Sequence, residues 1–340
     1  MTRNWPPILV RLLPQIITLI VVLVLNVLLF PDFFNISIQN GRLYGSIIDV
    51  LNRGAPVALV AVGMTLVIAT KGIDLSVGAV VAISGATAAA AIVAGHSAFN
   101  AVVMALGVGI ACGLWNGFLV AFLNIQPIIA TLVLMVAGRG IAQLITEGAI
   151  LTFTDERLVF IGSGRALLMP MPVVIWVVFG LAVTLLVRRT ALGMLIEAIG
   201  INRQASQLSG VRTTALLMTA YLLAGLCAAI AGLIVAADIK GADANNAGLW
   251  LELDAILAVV VGGNSLLGGR FSILGSLLGA VIIQAVNTGI LTSGFPPEYN
   301  LIIKAVIIVT ILIIQSPRIG DLSAFFKRSP SNTSADKGQA

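Results

Sequence analysis

Residues able to do chemistry are few in this chain and poorly spaced for catalysis. The only histidine, His96, stands in a short polar interval between two apolar runs. Cys112 and Cys227 each lie inside an apolar stretch, where a small packing residue is the expected role rather than half of a disulfide. One histidine and two scattered cysteines do not make a zinc site of ordinary ligand type, so no metal site is expected. No G-x-x-x-x-G-K-[ST] segment occurs, and the chain cannot cradle nucleotide phosphates in the P-loop manner. No His–Ser or Asp–Asp pair is placed to face a nucleophile with a base inside a bundle. What remains are isolated charges. Arg139 lies within an apolar run, and Asp74, Glu147, Asp238 and Glu252 stand near the ends of others. A charge at the bilayer centre costs about 2.5–3.5 kcal/mol on insertion scales, so Arg139 is expected to snorkel or to pair with protein. Ion-coupled carriers usually bury acids in mid-span. Here the acids flank the spans, which points to energy supplied by a partner.

The elements that must position these groups are membrane helices. Of 340 residues, 59% are hydrophobic and 10% charged, against about 25% charged in soluble domains. Mean hydropathy is +1.09. The net charge of +5 sits in loops and tails between apolar spans, which argues against nucleic-acid binding. A spanning helix needs about 20 mostly apolar residues. Clear candidates are 12–30, 54–70, 76–94, 101–123, 125–145, 167–187, 214–237 and 271–291; weaker ones are 255–267, interrupted by Gly262 and Gly263, and 301–314. The short spans are read as tilted helices extended by their flanks, or as broken helices sheltered inside the protein. The fold expected is an all-α polytopic bundle of about ten transmembrane helices. Its first span follows Arg3 and Arg11 without a small-residue cleavage site and reads as retained.

Lysine and arginine mark the cytoplasmic side. With the N-terminus inside and ten spans, Arg188, Arg189, Arg203 and Arg212 fall inside, as do Arg270 and a tail with Arg318, Lys327, Arg328 and Lys337. The acidic loop with Asp238, Asp243, Glu252 and Asp254 falls outside, where it is a candidate for docking basic groups. The organisation expected is a cytoplasmic segment 1–11, a membrane-spanning body 12–315 and a cytoplasmic tail 316–340. Thirty-five glycines and alanine-rich runs suit close helix approach in lipid. Two sets of five spans would make an inverted repeat, although the halves show no convincing sequence match.

The longest cytoplasmic loop, 188–213, carries a short helix signal: Asn202 stands where an N-cap belongs and Gly210 where a stop belongs. Ala205 and Leu208 share one face of it. So short a helix is marginal alone in water, and docking onto another protein or onto the membrane surface would supply the missing contacts.

This loop resembles the coupling segment of permease subunits in bacterial ABC sugar importers of the ribose/xylose/arabinose/galactoside family. The pattern T-x-x-G-x-x-x-x-A-x-G-x-N-x-x-A stands here as Thr190, Gly193, Ala198, Gly200, Asn202 and Ala205. The stretch PVALVAVGMTLVIATKGIDLSVGAVVAI resembles the family's hallmark, usually G-G-I-D-L-S-V-G, with Lys71 in place of the first glycine. Asn116–Gly117, Pro127, Thr131–Leu132, Arg139–Gly140 and VVVGGNSLLGGRF around Gly262 add to it, and the likeness runs from about residue 47 to 315. The C-terminal third is most similar to members that import galactofuranose.

The resemblance implies an inner-membrane permease that is not an enzyme and binds no cofactor. A separate ATPase with two nucleotide-binding domains would hold ATP and Mg, a periplasmic sugar-binding protein would deliver cargo, and a second permease copy or paralogue would complete the pore. It implies coupling to the ATPase through Glu197, Ala198, Gly200, Asn202, Ala205 and Gly210. Asp74 is read as a helix cap or a cytoplasmic gate, and Gly262 and Gly263 as hinge candidates. A neutral sugar needs hydrogen-bonding side chains along its route, and Asn116, Gln126, Thr131, Gln143, Gln284 and Asn287 are the candidates. Other pentose or hexose importers, and less so a stand-alone carrier or channel, are the competing readings.

Overall fold

The computed structural model describes residues 7–294 apart from 36, 40, 41 and 167, together with 299, 301, 302, 305, 306, 309 and 310. The chain divides into two units, Met1–Phe295 and Pro296–Ala340. Most of the expected span 301–314 and all of the tail 316–340 lie outside the described residues, as does the start of the segment 1–11.

The first unit is a helical bundle. In chain order its helices are α1 (Pro7–Leu29), α2 (Ser46–Arg53), α3 (Ala55–Ala69), α4 (Val77–Val93), α5 (Ala98–Ala121), α6 (Pro127–Ile145) and α7 (Glu156–Ser163). They are followed by α8 (Met171–Arg189), α9 (Leu192–Ile201), α10 (Arg203–Leu208), α11 (Thr213–Ile239), α12 (Leu251–Val261) and α13 (Ile273–Thr292). Six described helices are long and apolar enough to cross a membrane, or seven when α2 and α3, bent by 42° at Gly54, are taken as one. The span expected at 255–267 is a broken one: α12 begins earlier, at Leu251, and stops at Val261, where Gly262 and Gly263 turn the chain.

Starts and stops follow local chemistry. Ser97 and Ser272 each offer their hydroxyl to a backbone N–H three residues on, opening α5 and α13, and Asp155 caps α7. Proline opens α3, α6 and α8, where a missing N–H costs nothing. The α7 helix, α2 and the two-residue pairing of 151–152 with 241–242 were not legible in the hydropathy pattern.

The centre is α11, wrapped by α3, α4 and α5. Its contact with α5 is a seam of small residues. A side chain at Gly225 would run into the Gly109 carbonyl, and one at Gly113 into the Tyr221 carbonyl. In lipid there is no water-driven force between helices, so such backbone-to-backbone closeness supplies the attraction. The α3 and α4 helices are buried on nearly every side, whereas α1 turns Ile17, Ile20, Val24 and Leu28 outward and α6 turns out Val133 and Val136. The inward face of α1 carries Gln15 and Asn26, whose amides donate to Gly262 O (3.2 Å) and Ala285 O (3.2 Å) and tie it to α12 and α13.

Candidate coupling and gating site

The hallmark segment forms the interval between α3 and α4. Asp74 is 2% exposed there. Its Oδ1 accepts from the Ser76 backbone N–H (2.9 Å), the Ser76 hydroxyl (2.6 Å) and, at 3.5 Å, the Asn116 amide of α5. Asn116 Nδ2 also donates to Ser76 Oγ (2.8 Å). From α6, Thr131 Oγ1 receives the Leu75 N–H (3.2 Å) and packs on the Ile73 carbonyl. A carboxylate here does what a helix entry needs, because the first N–H groups have no partner within the helix. The bonding is not complete. Among the described residues, Asn116 Oδ1 and the fully buried Tyr221 hydroxyl have no partner, and Tyr221 lies against Gly72. Asp74, Asn116 and Thr131 are thus brought together, with Tyr221, which the sequence did not single out.

Lys71, where the resembled family has glycine, adopts a left-handed backbone with φ 66°. Only glycine reaches that region without steric cost, which explains the family's usual residue. The lysine side chain runs toward the coupling loop, and its Nζ donates to the carbonyl of Ile201, the last residue of α9 (3.2 Å). A cation at a helix C-terminus meets the negative end of its dipole.

The coupling loop itself is two short helices set at an angle. Asn202 accepts the Ala205 N–H through Oδ1 (3.0 Å) and caps α10. At the other end Gly210, with φ 82°, closes a Schellman turn: its N–H bonds Gln207 O and that of Val211 bonds Ser206 O, both at 3.0 Å. Ala205 and Leu208 face outward, Leu208 being 91% exposed. Gly200 is buried. A side chain on it would strike the Ala69 carbonyl, which also accepts from the Gly269 N–H (2.9 Å). Ala198 is half-buried on α9, and Glu197 Oε1 receives the Phe271 N–H at 3.4 Å. Glu197 lines a cleft of about 370 Å³ shared by α8, α9 and the residues before α13. The C-terminal turn of α3, the end of α9 and the loop before α13 therefore meet at one place.

Gly262 and Gly263 close α12, Gly263 with φ 82°. Gly262 sits against Gly275 of α13 with no room for a side chain. Asn264 fixes the turn: its amide donates to Val259 O (3.0 Å), Ser272 O (3.3 Å) and Ser276 Oγ (2.9 Å), and its Oδ1 accepts the Ser272 N–H (2.6 Å). Ser276 reaches Thr65 of α3 at 2.6 Å.

The remaining pathway candidates stand apart from this cluster. Gln126 is exposed at the start of α6. Gln143, also exposed, donates to Asn245 Oδ1 (2.8 Å). Gln284 is buried against Gly54 at the α2–α3 bend, and Asn287 Oδ1 is buried without a partner among the described residues. Arg139 pairs with protein, its Nη1 donating to Ala244 O (2.9 Å) and Ala247 O (2.6 Å). The loop it holds folds inward along α4. Glu252 is only 6% exposed, and its carboxylate lies beside Gly78, so it is withdrawn from the surface on which the acidic loop was expected to dock basic groups. Asp243 stays in the loop, where hydrogen bonding, first from the Asn246 side chain, holds its carboxyl below the usual range. Cys112 and Cys227 are free thiols. No cluster of three or more metal-ligating side chains occurs among the described residues.

Comparison with known proteins agrees with this architecture. A family model described as a branched-chain amino acid transport system, permease component, matches residues 46–312. The galactofuranose transporter permease YtfT of Escherichia coli K12 is 62% identical over 306 residues, covering 90% of each chain. The fructose import permease FruF of Bifidobacterium longum is 42% identical, over 92% of this chain and 90% of its own. The ribose import permease RbsC of Escherichia coli K12 is 38% identical, over 89% and 93%. No solved structure matches. The chain belongs to this family of multi-pass ABC-importer permeases, transport subunits rather than enzymes, which work with ATPase and substrate-binding partners.

Proposed function

We propose that this chain is the membrane-spanning subunit of an ATP-driven importer whose cargo is galactofuranose. The observation that carries the cargo is the 62% identity, over 90% of both chains, to a permease named for that sugar. Identity to the fructose and ribose permeases is lower, at 42% and 38%. Those two define the second reading, another small sugar moved by the same machinery.

In this reading two permease copies or close paralogues frame the route, and a periplasmic receptor delivers the sugar. A separate ATPase with two nucleotide-binding domains binds ATP and Mg and docks on α9–α10, at the basic end of the bundle. Closure of that ATPase pushes on Glu197, Ala198, Gly200, Asn202, Ala205 and Gly210. The shared junction at Ala69 passes the displacement to the Asp74 interval and to the turn at Gly262 and Gly263. The alternating opening moves a neutral sugar, for which Asn116 and Asn287 keep unspent side-chain acceptors. Gln126, Thr131, Gln143 and Gln284 serve the route or its mouths.

The test is uptake of labelled galactose, in which the furanose and pyranose rings equilibrate, into vesicles holding the full complex, with furanose-locked and pyranose-locked methyl galactosides, ribose and fructose as unlabelled competitors. The furanose-locked galactoside should compete at the lowest concentration. Ribose or fructose competing better would assign the second reading.

A further inference from the structure

A second cleft, of about 470 Å³, opens beside the coupling loop between the end of α3, the turn from α5 to α6, the end of α9 and α11. Its polar lining is rich in donors: Lys71, Arg203, Asn124, Gln126 and Gln204, with Tyr221 at its floor. None of the described residues lining it is acidic. Asp74, the acid of the neighbouring interval, directs Oδ1 to Ser76 and Asn116 instead.

Several of these donors have capacity to spare. Lys71 Nζ uses one of its three protons on Ile201 O. Arg203 reaches the Ala121 carbonyl through one terminal nitrogen at 3.4 Å, and its buried Nε has no partner among the described residues. The Tyr221 hydroxyl, on a side chain with no exposed surface, is equally unpartnered. Orphaned buried donors are costly, and two cations lining one cleft with no acid among its lining residues repel each other. An anion with several acceptor oxygens satisfies both conditions.

The rim indicates where that anion comes from. Phe122, Leu123 and Ile129 are 58%, 54% and 54% exposed at the adjoining ends of α5 and α6, an apolar border beside a cationic cleft. Basic pockets between spanning helices at the cytoplasmic face suit anionic lipid headgroups.

We infer that the cleft between α3, α9 and the α5–α6 turn binds a phosphate group, that of an anionic phospholipid, through Lys71 and Arg203 with Tyr221 beneath. The lipid would fill the gap between the coupling loop and the spanning body. The inference rests on the reading that the α9–α10 end faces the cytoplasm, not on the identity of the cargo, and of the sugar-route candidates only Gln126 borders the cleft.

The full-length permease in nanodiscs of phosphatidylcholine containing a minority of phosphatidylglycerol is examined by native mass spectrometry for retained lipid. Wild type should retain phosphatidylglycerol over phosphatidylcholine. The Lys71→Gly, Arg203→Gln double variant should lose that preference by about tenfold, since both charge-assisted contacts go. Glycine suits the left-handed backbone at position 71, so this change does not strain the fold. Tyr221→Phe, which removes one buried oxygen, should weaken retention by about threefold, whereas Lys71→Arg, which keeps the charge, should retain the wild-type preference. Release of the lipid by millimolar inorganic phosphate would confirm phosphate recognition, and stabilisation of lipid-free permease by phosphate alone would assign free phosphate as the source. Equal retention of both lipids by wild type and double variant, with no effect of phosphate, would overturn the proposal.

Discussion

The bundle is interrupted at two buried places, and they are built differently. Between α12 and α13 the turn is closed mainly by its own residues, with one further bond from Gln15 of α1. Asn264 uses both ends of its amide, Ser276 links the turn to α3, and Gly262 and Gly275 leave no space between backbones. Between α3 and α4 the Asp74–Ser76 bonds are joined by others from two helices, through Asn116 of α5 and Thr131 of α6, and two polar groups, Asn116 Oδ1 and the Tyr221 hydroxyl, are left unsatisfied. A fully satisfied polar network rigidifies, whereas a partly satisfied one can exchange partners at little cost. The difference makes the first a stiff corner that is carried as a unit and the second the better candidate for internal rearrangement. Both touch the coupling loop: the first through Phe271 and Glu197, the second through Lys71 and Ile201.

Substitutions can break or sharpen this contrast. Asn264→Ala strips the corner of the four Asn264 side-chain bonds and leaves the Ser272 N–H unpaired inside the protein. Stability should fall by about 3 kcal/mol, read as a lowered thermal midpoint in detergent. A change below about 0.5 kcal/mol would show that the corner is not held this way. Asp74→Asn keeps an oxygen able to cap α4 and removes only the charge. We expect a nearly unchanged midpoint with uptake reduced about tenfold, equivalent to about 1.4 kcal/mol on the transport barrier. Full uptake would reduce Asp74 to a cap and erase the functional side of the comparison. Ser97→Ala removes the exposed cap of α5, outside both interruptions and outside the sugar-route candidates. It should cost about 1 kcal/mol or less and leave transport intact, setting the baseline for the other two.

The sequence carried the bundle because hydropathy is a statement about the solvent, and long apolar runs have one stable answer in lipid. It carried the caps of α10 for a local reason: Asn202 and Gly210 act on their own neighbours, so their effect is encoded within a few residues. What it could not carry was depth. Glu252 looks like an exposed acid until the fold seats it in the first turn of α12, buried beside Gly78 and near Arg139. Gly200 reads as a surface element of a docking loop, yet its missing side chain makes room for the Ala69 carbonyl. Tyr221 has no distinguishing signal at all, being one aromatic in a long apolar helix. The six polar candidates for the sugar route share a type but not a place, since only Asn116 and Thr131 meet at the Asp74 interval. Lys71 is the opposite case. A lysine replacing an expected glycine marked the spot, and the φ of 66° supplies the reason.

The central claim is division of labour: this chain is the moving conduit, and a separate subunit hydrolyses ATP and drives it through α9–α10. It is tested most directly in proteoliposomes containing permease, ATPase and receptor, where ATP hydrolysis and sugar uptake are measured together with wild-type and Gly200→Val permease. The account predicts uptake only with ATP and all three components. It also predicts that Gly200→Val, which cannot seat against Ala69, uncouples the two, with uptake falling more than hydrolysis. Uptake by the permease alone, driven by an ion gradient or by its own hydrolysis of ATP, would contradict it.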